Sequence, residues 1–436
     1  VRRSNIRIMT FTFSSTMYEY ARLVSNDKSC KLDPRKTRST AVKCAQRMRI
    51  VISCENFDPR LGYLEKHLAK ELSKLGHGVF VITFGSCRKV SRIVVQDCFE
   101  VIYIPYILKI AQSFHIPSFD GIIYVIKFLK EKKPHVVHCQ PIGSPLSIIF
   151  LLFKNVFGYK IVGSIATQLN LIFSPWNFAR KILFSLSKIV IARYAKRKAE
   201  IFFAKTRGLA KILSRSYGVS LDKFHIIPLG ADPELFKFDH EARIFVRKKL
   251  GIPEDDVVVV YSGKINYPKR LHILIEAIAP IIREDSKVKL LIVGKGDACY
   301  IEFLKKLISD MNIVENVIFH PWIDRKMLNS FYSASDIGVW PGLSSTSIVD
   351  AASSGLPLIV ARYPVEIYAV ENGNGFTFEI DNVRELEKYL RILIYNDKLR
   401  KEMGHKSREL VEKKLNWKSI IFQYLNAYNL ALHRLS

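Results

Sequence analysis

Asp336-Ile-Gly-Val-Trp340-Pro-Gly342-Leu-Ser-Ser345-Thr346-Ser347-Ile-Val-Asp350-Ala-Ala-Ser-Ser-Gly355-Leu-Pro357-Leu-Ile-Val360 is the stretch from which the rest of the chain can be read. An apolar strand ending at Trp340 runs into a loop rich in Gly and Ser. A short helix follows, and then a second apolar strand after Gly355 and Pro357. That order gathers the hydroxyls and backbone N–H groups of Ser345, Thr346 and Ser347 at a helix start, with the Asp350 carboxylate about one turn in. Uncapped N–H groups at the positive end of a helix suit a diphosphate. The carboxylate can accept two hydrogen bonds from a ribose.

Outward from this stretch, short β-branched runs alternate with helical periods, the pattern of parallel α/β layers. Strands are expected at 50–54, 79–83, 101–104, 136–138, 161–163 and 224–228. A second series falls at 257–262, 290–293, 317–319, 337–340 and 358–360. Helices are expected at 62–75, 271–282, 301–311 and 326–333. The fold class is therefore α/β, with two Rossmann-like doubly wound domains facing across a cleft, because ligands of such sheets bind outside the carboxyl ends of the strands. A chain of 436 residues is long enough for two such domains. The boundaries read as 48–235 for the first domain, 236–415 for the second, and a final helix over 416–436. Residues 1–47 are polar, basic and aperiodic, and read as an upstream mis-start or a disordered arm.

Composition narrows the class. Apolar residues make up 49% and charged residues 25%, a globular balance. Seven cysteines are scattered with no Cys-x-x-Cys pair, which argues against a zinc site or a disulfide framework and for reduced thiols in the cytoplasm. No apolar run reaches the roughly eighteen residues of a membrane span, and no signal peptide is evident. The net charge of +27 favours an anionic partner. Basic residues crowd 173–217 among Trp176, Phe178, Ile182, Leu183, Phe184 and Leu186, a mixture suited to peripheral contact with an anionic membrane. The other reading packs those aromatic residues inside the first domain and leaves the charges facing water.

Six further stretches carry chemistry. They are Gly62-Tyr63-Leu-Glu65; Pro134-His-Val-Val-His138; Ile227-Pro-Leu-Gly230-Ala-Asp232; Gly263-Lys264-Ile-Asn-Tyr-Pro-Lys269; Val293-Gly294-Lys-Gly296; and His320-Pro-Trp322-Ile323-Asp324. In order and spacing, from Met48 to Trp417, they and the opening stretch resemble the retaining family-4 glycosyltransferases of the GT-B fold, the glycosyl transferases group 1. Asp350 matches the second Glu of that family's Glu-x7-Glu motif, and Gly342 stands in place of the first. Lys264 and Lys269 match the paired cations that follow a strand-end Gly.

The resemblance implies transfer of a sugar from a nucleotide sugar to a glycan or lipid-linked acceptor, with retention of configuration and no metal or other cofactor. It makes Lys264, Lys269 and Asp350 catalytic, and places Gly62, Gly263, Gly294, Ile323, Ser345, Thr346 and Ser347 around the donor. His138 falls on the acceptor side, and Trp322 either lies by the base or fills the core. Relatives carry a His in the loop after Gly163, where this chain has Ser164-Ile-Ala-Thr-Gln168, so the acceptor chemistry stays unassigned. The missing Glu leaves an alternative, a catalytically inactive GT-B protein that binds nucleotide sugar or a partner. Nucleic acid is not an expected partner, since charge alone suggests it and no recognition motif accompanies the charge. Substituting Asp350 or Lys269 by Ala is expected to cut transfer with little change in melting temperature. The expected location is the cytoplasm, at the inner face of the membrane.

Overall fold

In the computed structural model the described residues are 47–59, 64–95, 98–109, 114–165, 189–343, 346–363, 367–370 and 372–434. The unit running from Met48 to the C-terminus holds two parallel sheets joined by a double connection.

The first sheet takes strands β1 (Arg49–Cys54), β2 (Gly78–Phe84), β3 (Ser91–Val95), β4 (Phe99–Ile104), β7 (Val136–Gln140), β8 (Lys160–Ser164), β9 (Ala199–Ala204) and β10 (Phe224–Ile226). Their order is β10-β9-β8-β7-β1-β2-β4-β3, parallel throughout except for the antiparallel edge pair β3–β4. A separate hairpin pairs β5 (Tyr106–Lys109) with β6 (His115–Pro117). Strands covered on both faces must be apolar along their whole length, and Ile50, Val51 and Ile52 of β1 are fully buried. Helices α1 (Leu64–Lys74), α2 (Phe119–Lys132), α3 (Pro145–Phe157) and α4 (Arg207–Tyr217) supply the cover. Capping sets their ends: in α3 the Ser144 side chain accepts from the Ser147 N–H, and Gly158 closes the helix in the left-handed region.

The second sheet has the order β13-β12-β11-β14-β15-β16, all parallel. Its strands are β11 (Val257–Ile265), β12 (Val288–Gly296), β13 (Val317–His320), β14 (Ile337–Trp340), β15 (Leu358–Ala361) and β16 (Gly375–Phe378). Around it lie α5 (His240–Leu250), α6 (Leu271–Glu284), α7 (Ala298–Asp310), α8 (Arg325–Ser333), α9 (Ser347–Ser353), α10 (Val383–Ile394) and α11 (Asp397–Leu410). The chain then returns as α12 (Trp417–His433), which buries Ile420, Ile421, Tyr424 and Tyr428.

The two crossings between the halves are hydrogen-bonded to each other. Ala231 N–H donates to the Leu415 carbonyl at 2.8 Å, and Trp417 N–H donates to the Ala231 carbonyl at 3.2 Å. Arg408 reinforces the outgoing crossing by donating to the carbonyls of Pro233, Phe236 and Ser353.

One region departs from the sequence expectation. Within 173–217, Ala199–Ala204 is a buried strand of the first sheet, one in from its edge, not part of an interfacial segment. Its single acid, Glu200, is tied to Lys154 at 2.6 Å. The neighbouring Lys196, Arg197 and Lys198 masked this short apolar run in the sequence. Trp176, Phe178, Ile182, Leu183, Phe184 and Leu186 lie outside the described residues.

Candidate functional site

The carboxyl ends of β11, β12 and β14 meet the start of α9, and most of the residues expected at a donor site fall there. Gly263 and Lys264 end β11 in register with Gly294 and Lys295 of β12. Both lysines are exposed. A side chain on Gly294 would overlap the Gly263 carbonyl oxygen, so close strand approach alone requires glycine at that point. Lys269 is nearly buried, and its ammonium donates to the Leu343 carbonyl. Leu343 N–H donates in turn to the Pro268 carbonyl at 3.0 Å, stitching the loop after β11 to the loop after β14.

That stitching explains why a residue of the family motif is missing. A side chain at Gly342 would run into the Pro268 carbonyl oxygen and the Lys269 backbone. No carboxylate can project from this position unless the 268–269 backbone moves, so the substitution of Glu by Gly is built into how the two loops meet.

Asp350 lies in α9 and is almost wholly buried, at 2% exposure. Its Oδ1 accepts from Arg325 Nη2 at 2.6 Å. Burial pushes the Asp350 carboxyl up from its ordinary range, Arg325 draws it back down, and Asp232 adds a smaller upward push. The Ser347 hydroxyl was expected to face the donor. It is instead used in the interior, donating to the Ser262 carbonyl at 2.8 Å and accepting from Trp340 Nε1 at 3.2 Å. A buried hydroxyl takes the nearest backbone acceptor, and here that acceptor belongs to β11. Thr346 is exposed at the head of α9 and makes no capping bond through its side chain. Gly62 and Ser345 lie outside the described residues.

Ile323 is half-buried in the loop after β13. Beside it Trp322 is 52% exposed, with Lys295 Nζ 5.1 Å from its ring centroid. Trp322 is therefore not a core residue.

His138 does not face an acceptor. It sits within β7, 1% exposed, and its Nδ1 lies 2.7 Å from the Tyr428 hydroxyl of α12. Burial lowers its pKa to about 3, so the ring is neutral. Its role is to fasten the returning helix to the first sheet. The strand-end position that suggested function in the sequence places it under α12.

Two residues were overlooked. Arg325 opens α8, and its Nη1 lies 3.3 Å from Nε2 of His67 on α1. Their positions, 258 residues apart, carry no pairing signal in a single sequence. Among the described residues no cluster of three or more His, Cys, Asp or Glu side chains could hold a metal.

Comparison with known families covers both halves. The model described as Glycosyltransferase Family 4 matches residues 66–235, and the one described as Glycosyl transferases group 1 matches 242–410. This chain is a glycosyltransferase of the GT-B fold, its two halves matching one family model each. Among curated relatives of this glycosyltransferase, the D-inositol 3-phosphate glycosyltransferase of Xylanimonas cellulosilytica is 24% identical over 54% of the chain and 58% of that protein. The alpha-monoglucosyldiacylglycerol synthase of Streptococcus pneumoniae is 24% identical over 73% of the chain and 72% of that protein. The poly(ribitol-phosphate) alpha-N-acetylglucosaminyltransferase of Staphylococcus aureus is 26% identical over 71% of the chain, and the chain spans 58% of its length. Solved structures share the fold. Sucrose-phosphate synthase from Thermosynechococcus elongatus superposes with a TM-score of 0.70 at 18% identity, over 88% of this chain and 99% of that one. Anabaena HepE in complex with UDP gives 0.68 at 16%, over 88% and 100%.

Proposed function

We propose that this glycosyltransferase moves a sugar from a nucleotide-sugar donor to a glycan or lipid-linked acceptor with retention of configuration. The observation that carries the reading is the buried Asp350 carboxylate at the carboxyl end of the second sheet, with Lys264 and Lys269 on the exit of the adjacent strand β11. Asp350 orients the donor ribose. Lys264 and Lys269, with the first N–H groups of α9, stabilise the negative charge that develops on the departing diphosphate. Each charge-assisted contact of this type contributes roughly 1.5–3 kcal/mol. In this reading the chain's own cations do the work of a metal, and no resident cofactor is needed. Ile323 lies by the base and Thr346 by the donor sugar or phosphate.

The acceptor side belongs to the first domain. The relative that is a monoglucosyldiacylglycerol synthase supports a lipid-linked acceptor, and the exposed Arg193, Tyr194 and Arg197 support contact with an anionic membrane surface in the cytoplasm. Among the described residues no helix is long and apolar enough to cross a membrane. A thermal-shift screen of nucleotide sugars tests the donor reading. Ligand at about 100 times its dissociation constant adds roughly 2.7 kcal/mol of stability. One base and sugar combination should raise the melting temperature well above the others. A flat response across uridine, guanosine, adenosine and cytidine donors would refute the reading, and stabilisation without turnover would favour an inactive binding protein.

A further inference from the structure

Arg325 joins groups that belong to different parts of the molecule. One guanidinium nitrogen donates to Asp350 of α9 at 2.6 Å, and the other lies 3.3 Å from His67 Nε2 on α1 of the first domain. The guanidinium carbon stands 5.2 Å from the ring centroid of Phe236, where the outgoing crossing enters the second domain. The His67 ring lies flat on Trp417, with centroids 4.3 Å apart and planes 7° apart, where the chain has just crossed back. The contacts run without a break from the donor carboxylate, through both crossings, to the acceptor domain.

We propose that Arg325 is a positioning residue that couples the donor site to the juxtaposition of the two domains. The inference rests on Asp350 receiving the donor ribose. A planar guanidinium can hold two partners in fixed directions at once, whereas an ammonium on a flexible stem behaves as a single point charge. His67 takes part as an acceptor. Burial, reinforced by the nearby Arg325, Lys66 and Lys70, lowers its pKa to about 3 and leaves the ring neutral. With Nε2 accepting from Arg325, the ring carries its proton on Nδ1. The carboxylate is held in one orientation only while the first domain presents His67. Donor affinity therefore scales with the fraction of molecules in which the domains are so placed. Other charged or titratable groups near Asp350 are Asp232 at the crossing and Tyr332 of α8.

The test is a double-mutant cycle read by calorimetric titration of UDP, or of GDP or ADP if the wild-type chain prefers one of them. Arg325→Met should weaken nucleotide binding about tenfold or more, the equivalent of one lost charge-assisted bond. Arg325→Lys should recover part of that affinity, because the ammonium still faces Asp350, but should stay several-fold weaker than wild type, like His67→Leu, because it cannot bridge to His67. His67→Leu should weaken binding several-fold in the wild-type background, although His67 lies in the other domain. It should have no effect in either Arg325 background, because the bridge is already broken there. Equal effects of His67→Leu in all three backgrounds, or none in any of them, would overturn the coupling while leaving the donor site intact. Failure of the wild-type chain to bind any of the three nucleotides would overturn the donor site and the coupling together. Melting curves of each variant separate lost folding from lost coupling, and Arg325→Lys keeps the test open if Arg325→Met does not fold.

Discussion

Asp350→Ala removes a side chain that is about 3% exposed, from a pair whose arginine side chain is 20% exposed. Breaking a fully buried ion pair by deleting one partner costs about 3–5 kcal/mol, and breaking a solvated one about 0–1 kcal/mol. Arg325 can turn partly toward water, so the expected loss lies between these limits, at about 2 kcal/mol. For a domain of this size that corresponds to a fall of roughly 4–8 °C in melting temperature. The structure thus points to a larger loss than the expectation from sequence, that Asp350→Ala would leave the melting temperature nearly unchanged. Asp350→Asn, which keeps the shape and one acceptor oxygen, should lose less stability but as much transfer, since the amide cannot hold both Arg325 and a ribose. Scanning calorimetry of wild type and both variants, with transfer rates beside it, checks the sequence of effects. A melting temperature for Asp350→Ala within about a degree of wild type would show that the pair does not hold the donor site together.

Gly342→Glu, which restores the family's first carboxylate on paper, should lower both stability and activity because the side chain has no room against Pro268 and Lys269. Measured turnover at or above wild type would contradict this packing. Glu55, buried beside His115, has its carboxyl raised from 4.5 to about 7, chiefly by burial, with Ser144 and the His115 N–H opposing. The folded state therefore binds the extra proton more tightly than the unfolded chain. Stability from this group is fully present below the unfolded value and is lost as the pH rises through the folded one. Glu55→Gln should remove up to about 3 kcal/mol of the fall in stability between pH 5 and pH 8. Urea midpoints at both pH values check it, and an unchanged pH dependence would count against the buried carboxyl.

The alternation of β-branched runs made the two sheets legible, since a strand covered on both faces must be apolar along its length. Strand β9 escaped because its six residues lie beside a basic cluster, and local composition outweighed a short apolar run. Of the candidate site, spacing placed Asp350, Lys264 and Lys269 past strand ends, where ligands of such sheets gather, while their roles rest on the family resemblance. His138 misled because β-strand periodicity says nothing about which helix will cover a strand end. Ser347 misled because a hydroxyl at a helix start serves a ligand or the nearest carbonyl equally well. Arg325 and His67 were invisible, since a contact between domains leaves no local pattern. The obstruction at Gly342 could be seen only once the two loops were placed side by side.

Sugar transfer with retention, from a nucleotide donor held at Asp350, Lys264 and Lys269, leaves its mark on the product. Proton NMR of the product made from an α-linked nucleotide sugar, the donor that most stabilises the chain, and a membrane-lipid acceptor fraction tests it most directly. Retention at this site requires a new α-glycosidic linkage, formed by wild type and lost or greatly slowed in Lys269→Ala. A β-linked product would contradict retention, and undiminished product from Lys269→Ala would contradict the site.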